Sequence, residues 1–270
     1  MTEPALLIAE SDGILHVTFN RPEKYNAISL EMWEGLWAAT VMLRDRDDLQ
    51  ALLLSAQGRY FSAGIDLHSP LAPDPALTSP SDFRRWYRQG IGSLHALGDE
   101  WESIEKPITV AFQGPCLGGA LELSLCADFR LATADARLGL PEIALGGIPG
   151  SGGTSRLVRL AGPHWARWMV LANRQVDGEQ ARMIGLVHDV LPAQGFTQAA
   201  LDFCRSLVAL PREAFAAGKL AIELAVDLDR AQARNMERMA VSALVQGDEY
   251  KAMMAAMQAK LRSRADRSTD

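Results

Sequence analysis

The chain has 270 residues, 48% of them hydrophobic and 22% charged, enough to bury a substantial core in one large domain or one domain with an appendage. Its formal net charge of −6 and pI near 5.4 disfavour non-specific attraction to nucleic-acid phosphates or anionic membrane. Neither nucleic acid nor membrane is expected as a partner.

The N-terminus, Met1-Thr2-Glu3-Pro4-Ala5, lacks the basic start and long apolar stretch of a secretory leader and the arginine enrichment of an organellar presequence. No apolar run downstream reaches membrane-spanning length. Leu6 to Ala9 and Ile14 to Phe19 flank Asp12-Gly13, which predicts a hairpin with a tight turn. Arg21-Pro22 ends the second strand. Ser29 is placed to cap a helix that carries Leu30, Trp33, Trp37 and Val41 along one face. Ala51 to Leu54 is a continuous apolar run closed by Gln57-Gly58, the pattern of a strand buried on both faces.

From His68 to about Ser81, Pro70, Pro73, Pro75 and Pro80 predict a long loop, either a lid or pocket wall or a plain surface insertion. Helical periodicity runs from Asp82 to about Ile104, with Arg84, Arg85 and Arg88 read as a solvated helix face. Pro107 opens an apolar strand through Phe112, and further strands are predicted near Phe129 to Ala132 and Leu186 to Val190. After about Gln194 strand signals stop. Phe196 to Leu210, Arg212 to Val226, Arg230 to Val245 and Glu249 to Arg262 read as helices. The expected organisation is an α/β core over 1–195 and a helical region over 196–270.

Cys116, Cys126 and Cys204 are odd in number without CxxC spacing, so neither a disulfide framework nor a zinc knuckle is suggested. A reducing, cytoplasmic setting is expected. His16, His68, His95, His164 and His188 form no HExxH or other local ligand cluster, so no metal is expected and each reads as structural or surface. No GxSxG nucleophile elbow is present.

Two glycine-rich stretches carry the chemistry. In Gly114-Pro115-Cys116-Leu117-Gly118-Gly119-Ala120-Leu121-Glu122 a strand exits through glycines into a helix-forming run, placing backbone donors where a ligand can approach closely. Glu122, three residues after Gly119, falls about one turn away on the same face. Its neighbours Leu121, Leu123, Leu125 and Cys126 are apolar, which tends to raise its pKa. Tight strand–helix packing is the competing reading of these glycines. The second stretch, Pro141-Glu142 followed by Gly146, Gly147, Gly150, Gly152 and Gly153, has neither GxxxxGK[ST] nor GxGxxG, so a nucleotide-phosphate loop is not indicated. Two carboxylates in one pocket can divide general acid and general base work if their surroundings separate their proton affinities.

Five ordered blocks, Asn20-Arg21-Pro22-Glu23-Lys24-Tyr25-Asn26-Ala27, Phe61-Ser62-Ala63-Gly64-Ile65-Asp66-Leu67, the run from Gly114 to Leu123, the run from Pro141 to Leu157, and Ala181-Arg182-Met183-Ile184-Gly185-Leu186-Val187, resemble the crotonase superfamily, the enoyl-CoA hydratase and isomerase family. The resemblance implies an α/β fold, a spiral of ββα units, with the C-terminal helical region serving oligomerisation and pocket closure in a homotrimer or homohexamer. It implies an acyl-CoA thioester substrate, with coenzyme A part of the substrate and no separate cofactor. The implied oxyanion donors are the N–H groups of Ile65 and Gly119. Substrate or CoA contacts are implied for Lys24, Ala27, Ala63, Ile65, Asp66, Leu67, Gly118, Gly150 and Lys260.

Both glutamate positions of the hydratases are filled. The resemblance therefore implies an enoyl-CoA hydratase, a lyase of fatty acid, amino acid or aromatic catabolism, with Glu122 activating water and Glu142 delivering a proton. Δ3,Δ2 isomerisation and thioester hydrolysis are the alternatives. A non-catalytic CoA- or RNA-binding member is the reading from another class, its RNA form disfavoured by the acidic pI. Gly150 stands where some dienoyl-CoA isomerases carry an acid. Ala256 and Ala259 stand near where the family often has a phenylalanine and a lysine for CoA, with Lys260 as the substitute. Trp86 and Tyr87 read as an amphipathic core face rather than as walls of the acyl pocket.

Overall fold

The computed structural model describes residues 3–69, 71, 79–89 and 94–266, with the side chains of Tyr87, Gln89 and 263–266 outside it. Most of the proline-rich loop expected at 68–81 therefore lies outside the described residues. Asp12 and Gly13 both take positive φ, 53° and 75°, as a two-residue hairpin turn matched to strand twist requires. Strand β1 (Leu6–Ser11) consequently pairs antiparallel with β2 (Ile14–Phe19), Ser11 opposite Ile14.

The next pairing, β2 with β3 (Ala51–Ala56), is parallel, so the chain must cross over, and helix α1 (Leu30–Asp45) makes the crossing. Ser29 caps it, its Oγ accepting from Met32 N at 3.4 Å. The buried stripe of α1 runs through Met32, Leu36, Ala39 and Leu43 with Trp33 and Thr40. Val41, assigned to the inner face from the sequence, is exposed. At about 100° per residue it lies about 140° around the helix from Leu36.

Helices α2 (Pro80–Gln89) and α3 (Leu94–Ser103) precede β4 (Ile108–Phe112), and then come β5 (Cys116–Leu117), α4 (Gly119–Ser124), β6 (Phe129–Ala132) and β7 (Arg137–Gly139). A 3-10 turn at Pro141–Leu145 leads to α5 (Gly153–Ala166), followed by β8 (Val176–Asp177), α6 (Gly178–Met183), β9 (Asp189–Val190) and α7 (Phe196–Val208). The main sheet has the order β1-β2-β3-β4-β6-β9 and is parallel after its first pair; β5, β7 and β8 form a second, small sheet. The strand expected over Leu186 to Val190 shrinks to β9. Leu186 and Val187 instead donate their N–H groups to Ala181 O and close α6.

Phe61 packs at 5.4 Å from Phe19 and 5.0 Å from Phe112, ring centre to ring centre. These three buried rings join β2 and β4 to the loop that follows β3. Trp101 of α3 donates Nε1–H to Thr40 Oγ1 of α1 at 2.9 Å, satisfying both buried polar groups. Cys116, Cys126 and Cys204 are buried and unbridged.

The chain divides into two compact units that meet at 207/208. A boundary at 195/196 was expected from the end of strand signals. Helix α7 belongs to the first unit because it buries Phe196, Ala200, Cys204 and Leu207, and its Phe203 meets Phe129 edge-on at 5.3 Å. The second unit holds α8 (Arg212–Asp227), α9 (Arg230–Leu244) and α10 (Asp248–Asp266). Its turns are capped locally: Asp229 and Gln232 form a capping box, and Glu249 accepts from the N–H groups of Arg212 and Glu213. Among the described residues no helix is long and apolar enough to cross a membrane.

Candidate functional site

The segment after β3 is anchored by Asn26, fully buried with φ 52°. Its Oδ1 accepts from Arg21 N at 2.7 Å, and its Nδ2 donates to Gln57 O and Tyr60 O, both at 2.8 Å. Ser62 adds a second tie, donating to Asn26 O at 2.7 Å while accepting from Gly64 N at 3.1 Å. Gly64 then takes φ 100°, a conformation that favours glycine. Gly64 O accepts from Ile28 N, and Asp66 N donates to Ile28 O. Backbone groups alternate in direction along an extended segment, so the N–H of Ile65 faces away from Ile28.

That alternation brings Ile65 to the start of α4. A Cβ placed on Gly64 would stand 3.0 Å from Leu117 O and 3.6 Å from Gly119 N; one placed on Gly119 would stand 2.9 Å from Ile65 Cγ1. The two segments therefore touch. Among the described hydrogen bonds none is donated by Ile65 N or Gly119 N.

Glu122, on α4, is 4% exposed. Its Oε2 accepts two backbone N–H groups, from Ser151 at 2.7 Å and Gly153 at 2.9 Å. Burial pushes its pKa up from 4.5 to about 7; the charge of Glu142 pushes the same way, and the two amides and Arg156 pull back. A Cβ at Gly153 would lie 2.6 Å from Glu122 Cγ, so glycine there lets Glu122 keep this position.

Glu142 sits on the 3-10 turn, whose return is closed by Gly147 N donating to Glu142 O at 3.0 Å. A Cβ on Gly118, whose φ is 56°, would stand 3.2 Å from Glu142 Oε1. Glu142 Oε2 is buried and, among the described residues, meets no hydrogen-bond donor. Burial also holds this carboxyl above its usual range.

Both carboxylates line one cavity of about 230 Å³, together with Ala63, Gly64, Ile65, Leu67, Leu71, Trp86, Leu94, Gly118, Gly119, Pro141, Leu145 and Ser151. Trp86 is thus a pocket wall, correcting its assignment to a core face; a helical stripe shows which residues share a side but not what that side meets. The side chain of Tyr87 lies outside the described residues. Arg84, Arg85 and Arg88 are exposed, in line with a solvated face.

Of the remaining expected contacts, Lys24 is exposed on a 3-10 turn. Ala27 O accepts from Arg21 Nη1 at 2.8 Å, and Asp66 pairs with Arg21 at 3.3 Å. The carbonyl of Gly150 is engaged by His95 at 2.7 Å. Lys260 lies on α10 of the second unit. Sequence reasoning missed the donors Ser151 N and Gly153 N, since any residue type supplies an N–H and 29 and 31 positions separate them from Glu122. The glycines flanking Ser151 were the only signal. Among the described residues no group of His, Cys, Asp and Glu has the arrangement of a metal site.

The Enoyl-CoA hydratase/isomerase family model matches residues 9–264. An enoyl-CoA isomerase/hydratase of Mycosarcoma maydis is 29% identical, over 96% of this chain and 97% of that protein. A 2,3-dehydroadipyl-CoA hydratase of Escherichia coli (strain K12) is 30% identical, over 86% and 88%. The crystal structure of an enoyl-CoA hydratase from Bacillus anthracis superposes with a TM-score of 0.86 at 26% identity, over 95% of this chain and 96% of that one. The mixed α/β architecture is therefore the crotonase fold.

Proposed function

From the chain's membership of the enoyl-CoA hydratase/isomerase family, we propose that it hydrates the 2,3 double bond of an acyl-CoA thioester. The observation that carries this reading is the unlike seating of two carboxylates in one apolar cavity. Glu122 Oε2 is held by two amides, whereas Glu142 Oε2 is buried with no donor among the described residues. Burial raises both carboxyls, Glu122 to about 7 even against its two amides, which brings their proton exchange toward neutral pH, and the amides aim Glu122 as the base.

The thioester carbonyl oxygen sits between Ile65 N–H and Gly119 N–H. Ionised Glu122 takes a proton from water as the water oxygen bonds to Cβ. The π electrons move toward the thioester, and the two N–H groups stabilise the enolate oxygen where its charge develops. Protonated Glu142 then delivers its proton to Cα. Water has been added, and the carboxyl proton states reset by exchange between the two acids and solvent.

No cofactor beyond the substrate's own coenzyme A takes part. Lys24, Ala27, Ala63, Asp66, Leu67, Gly118, Gly150 and Lys260 complete the proposed substrate and CoA contacts, and a homotrimer or homohexamer assembled through the helical C-terminal region is part of the same reading. The test is incubation of purified protein with crotonyl-CoA, following enoyl absorbance and released thiol together. Loss of absorbance without thiol supports hydration. Thiol release points to the hydrolase, and turnover confined to 3-enoyl-CoA points to the isomerase; either overturns the proposal.

A further inference from the structure

The two amides that grip Glu122 lie on the loop Gly150-Ser151-Gly152-Gly153. Three glycines in four residues leave this backbone with wide conformational freedom, and Gly152 sits at φ 98°. The carboxylate gripped by the loop is not enough to hold it, since that contact is the one to be explained. An outside tie exists. His95, in the first turn of α3, places Nε2 2.7 Å from Gly150 O. A carbonyl only accepts, so Nε2 carries the hydrogen and the ring donates. The other ring nitrogen faces the same loop, since a Cβ on Gly152 would stand 3.5 Å from His95 Nδ1. The neighbouring Leu94 lines the cavity, so one helical turn both walls the pocket and fastens the loop behind Glu122.

We propose that His95 is a positioning residue for hydration: by holding the Gly150 carbonyl it seats Ser151 N–H and Gly153 N–H on Glu122 Oε2 and so aims the base. The proposal rests on Glu122 being the base of the hydration reading. Donors on a carboxylate favour its ionised form, so slackening the loop raises the proton affinity of Glu122 as well as misdirecting it. The other ionisable groups around Glu122 are Glu142 on the 3-10 turn and Arg156 on α5, the latter paired with Asp99 and Glu102 of α3. None of them is altered in the variants below.

The test uses the intact chain in wild-type, His95→Leu and His95→Gln forms; glutamine returns a donor near the position of Nε2. Steady-state hydration of crotonyl-CoA across pH gives kcat and KM. A 13C titration of carboxyl-labelled glutamate, with Glu122 assigned by the signal lost in Glu122→Gln, gives its proton affinity with no substrate present. His95→Leu is expected to lower kcat by about tenfold or more with KM within about twofold of wild type. It should also raise the Glu122 pKa, and His95→Gln should restore both. A Glu122 titration in His95→Leu identical to wild type overturns the proposal. If His95→Leu does not fold, His95→Asn, polar but too short to reach Gly150 O, must show the same rise, and an unchanged titration there is equally decisive against it. Should wild type fail to hydrate crotonyl-CoA, the reaction reading falls, yet the Glu122 titration still decides the role of His95.

Discussion

Glu122 stands on a helix with one oxygen pinned by two amides, whereas Glu142 rides a 3-10 turn with a buried oxygen that no donor among the described residues meets. Both carboxyls are pushed up by burial, so burial alone does not separate them. Hydrogen bonding does: the backbone around each gives one residue type in one cavity two unlike seats, the difference on which the proposed roles of base and acid rest.

The largest expected effect comes from removing each carboxylate in turn. Glu122→Gln and Glu142→Gln should each lower kcat for crotonyl-CoA hydration by about 10²–10⁴-fold, with CoA binding largely kept. Their stabilities should differ from wild type in step with their seats: above neutral pH, Glu142→Gln removes a carboxyl that burial holds above its usual range, so thermal unfolding should occur no lower than in wild type. Wild-type turnover in either variant would break the assignment of roles.

Next in size is the dependence of stability on pH. The folded pKa of Glu122, about 7, lies above its ordinary 4.5. Between those values the native state binds more protons than the unfolded chain, so stability falls as pH rises through that window. The penalty is absent below about 4.5 and complete above about 7, on the order of 3 kcal/mol. Urea unfolding of wild type and Glu122→Gln at pH 4.5 and pH 8 should therefore show the glutamine variant gaining by that amount at the higher pH. A constant difference would mean that Glu122 is not buried as described. On the kinetic side, kcat should rise around pH 7, where folded Glu122 loses its proton, and fall again once Glu142 is deprotonated too, the apparent values belonging to the pair.

Gly153→Ala sharpens the comparison by disturbing one seat only. The new methyl group would meet Glu122 Cγ at 2.6 Å and leave Glu142 alone. A loss of about 10²-fold in kcat with little change in KM is expected; a rate close to wild type would show that the seat tolerates displacement. The smallest effect belongs to the cavity wall shared by both acids. Trp86→Ala should raise KM by about tenfold and change kcat less, measured across short and long acyl chains.

The elements read correctly from the sequence are those with local signals. Asp12-Gly13 marked the hairpin, Ser29 the start of α1, and the apolar run at Ala51 strand β3. Missed elements lack such signals: β5 and β8 are two residues each and β7 three, too short for periodicity to register. Val41 was misplaced because a stripe spaced by fours drifts around a helix of 3.6 residues per turn. Helix α7 reads like the other C-terminal helices, and only its packing on Phe129 assigns it to the first unit. The His95 contact, 55 positions along the chain from its acceptor, left no trace in spacing.

From sequence alone came the pair Glu122 and Glu142, the glycines around them and the family resemblance, because side-chain identity and local flexibility are written residue by residue. The partners of those carboxylates came only from the tertiary structure. Every residue except proline carries the same N–H, so which ones meet Glu122, and that none of those described meets Glu142 Oε2, depends on where the fold carries each backbone and in which direction it points.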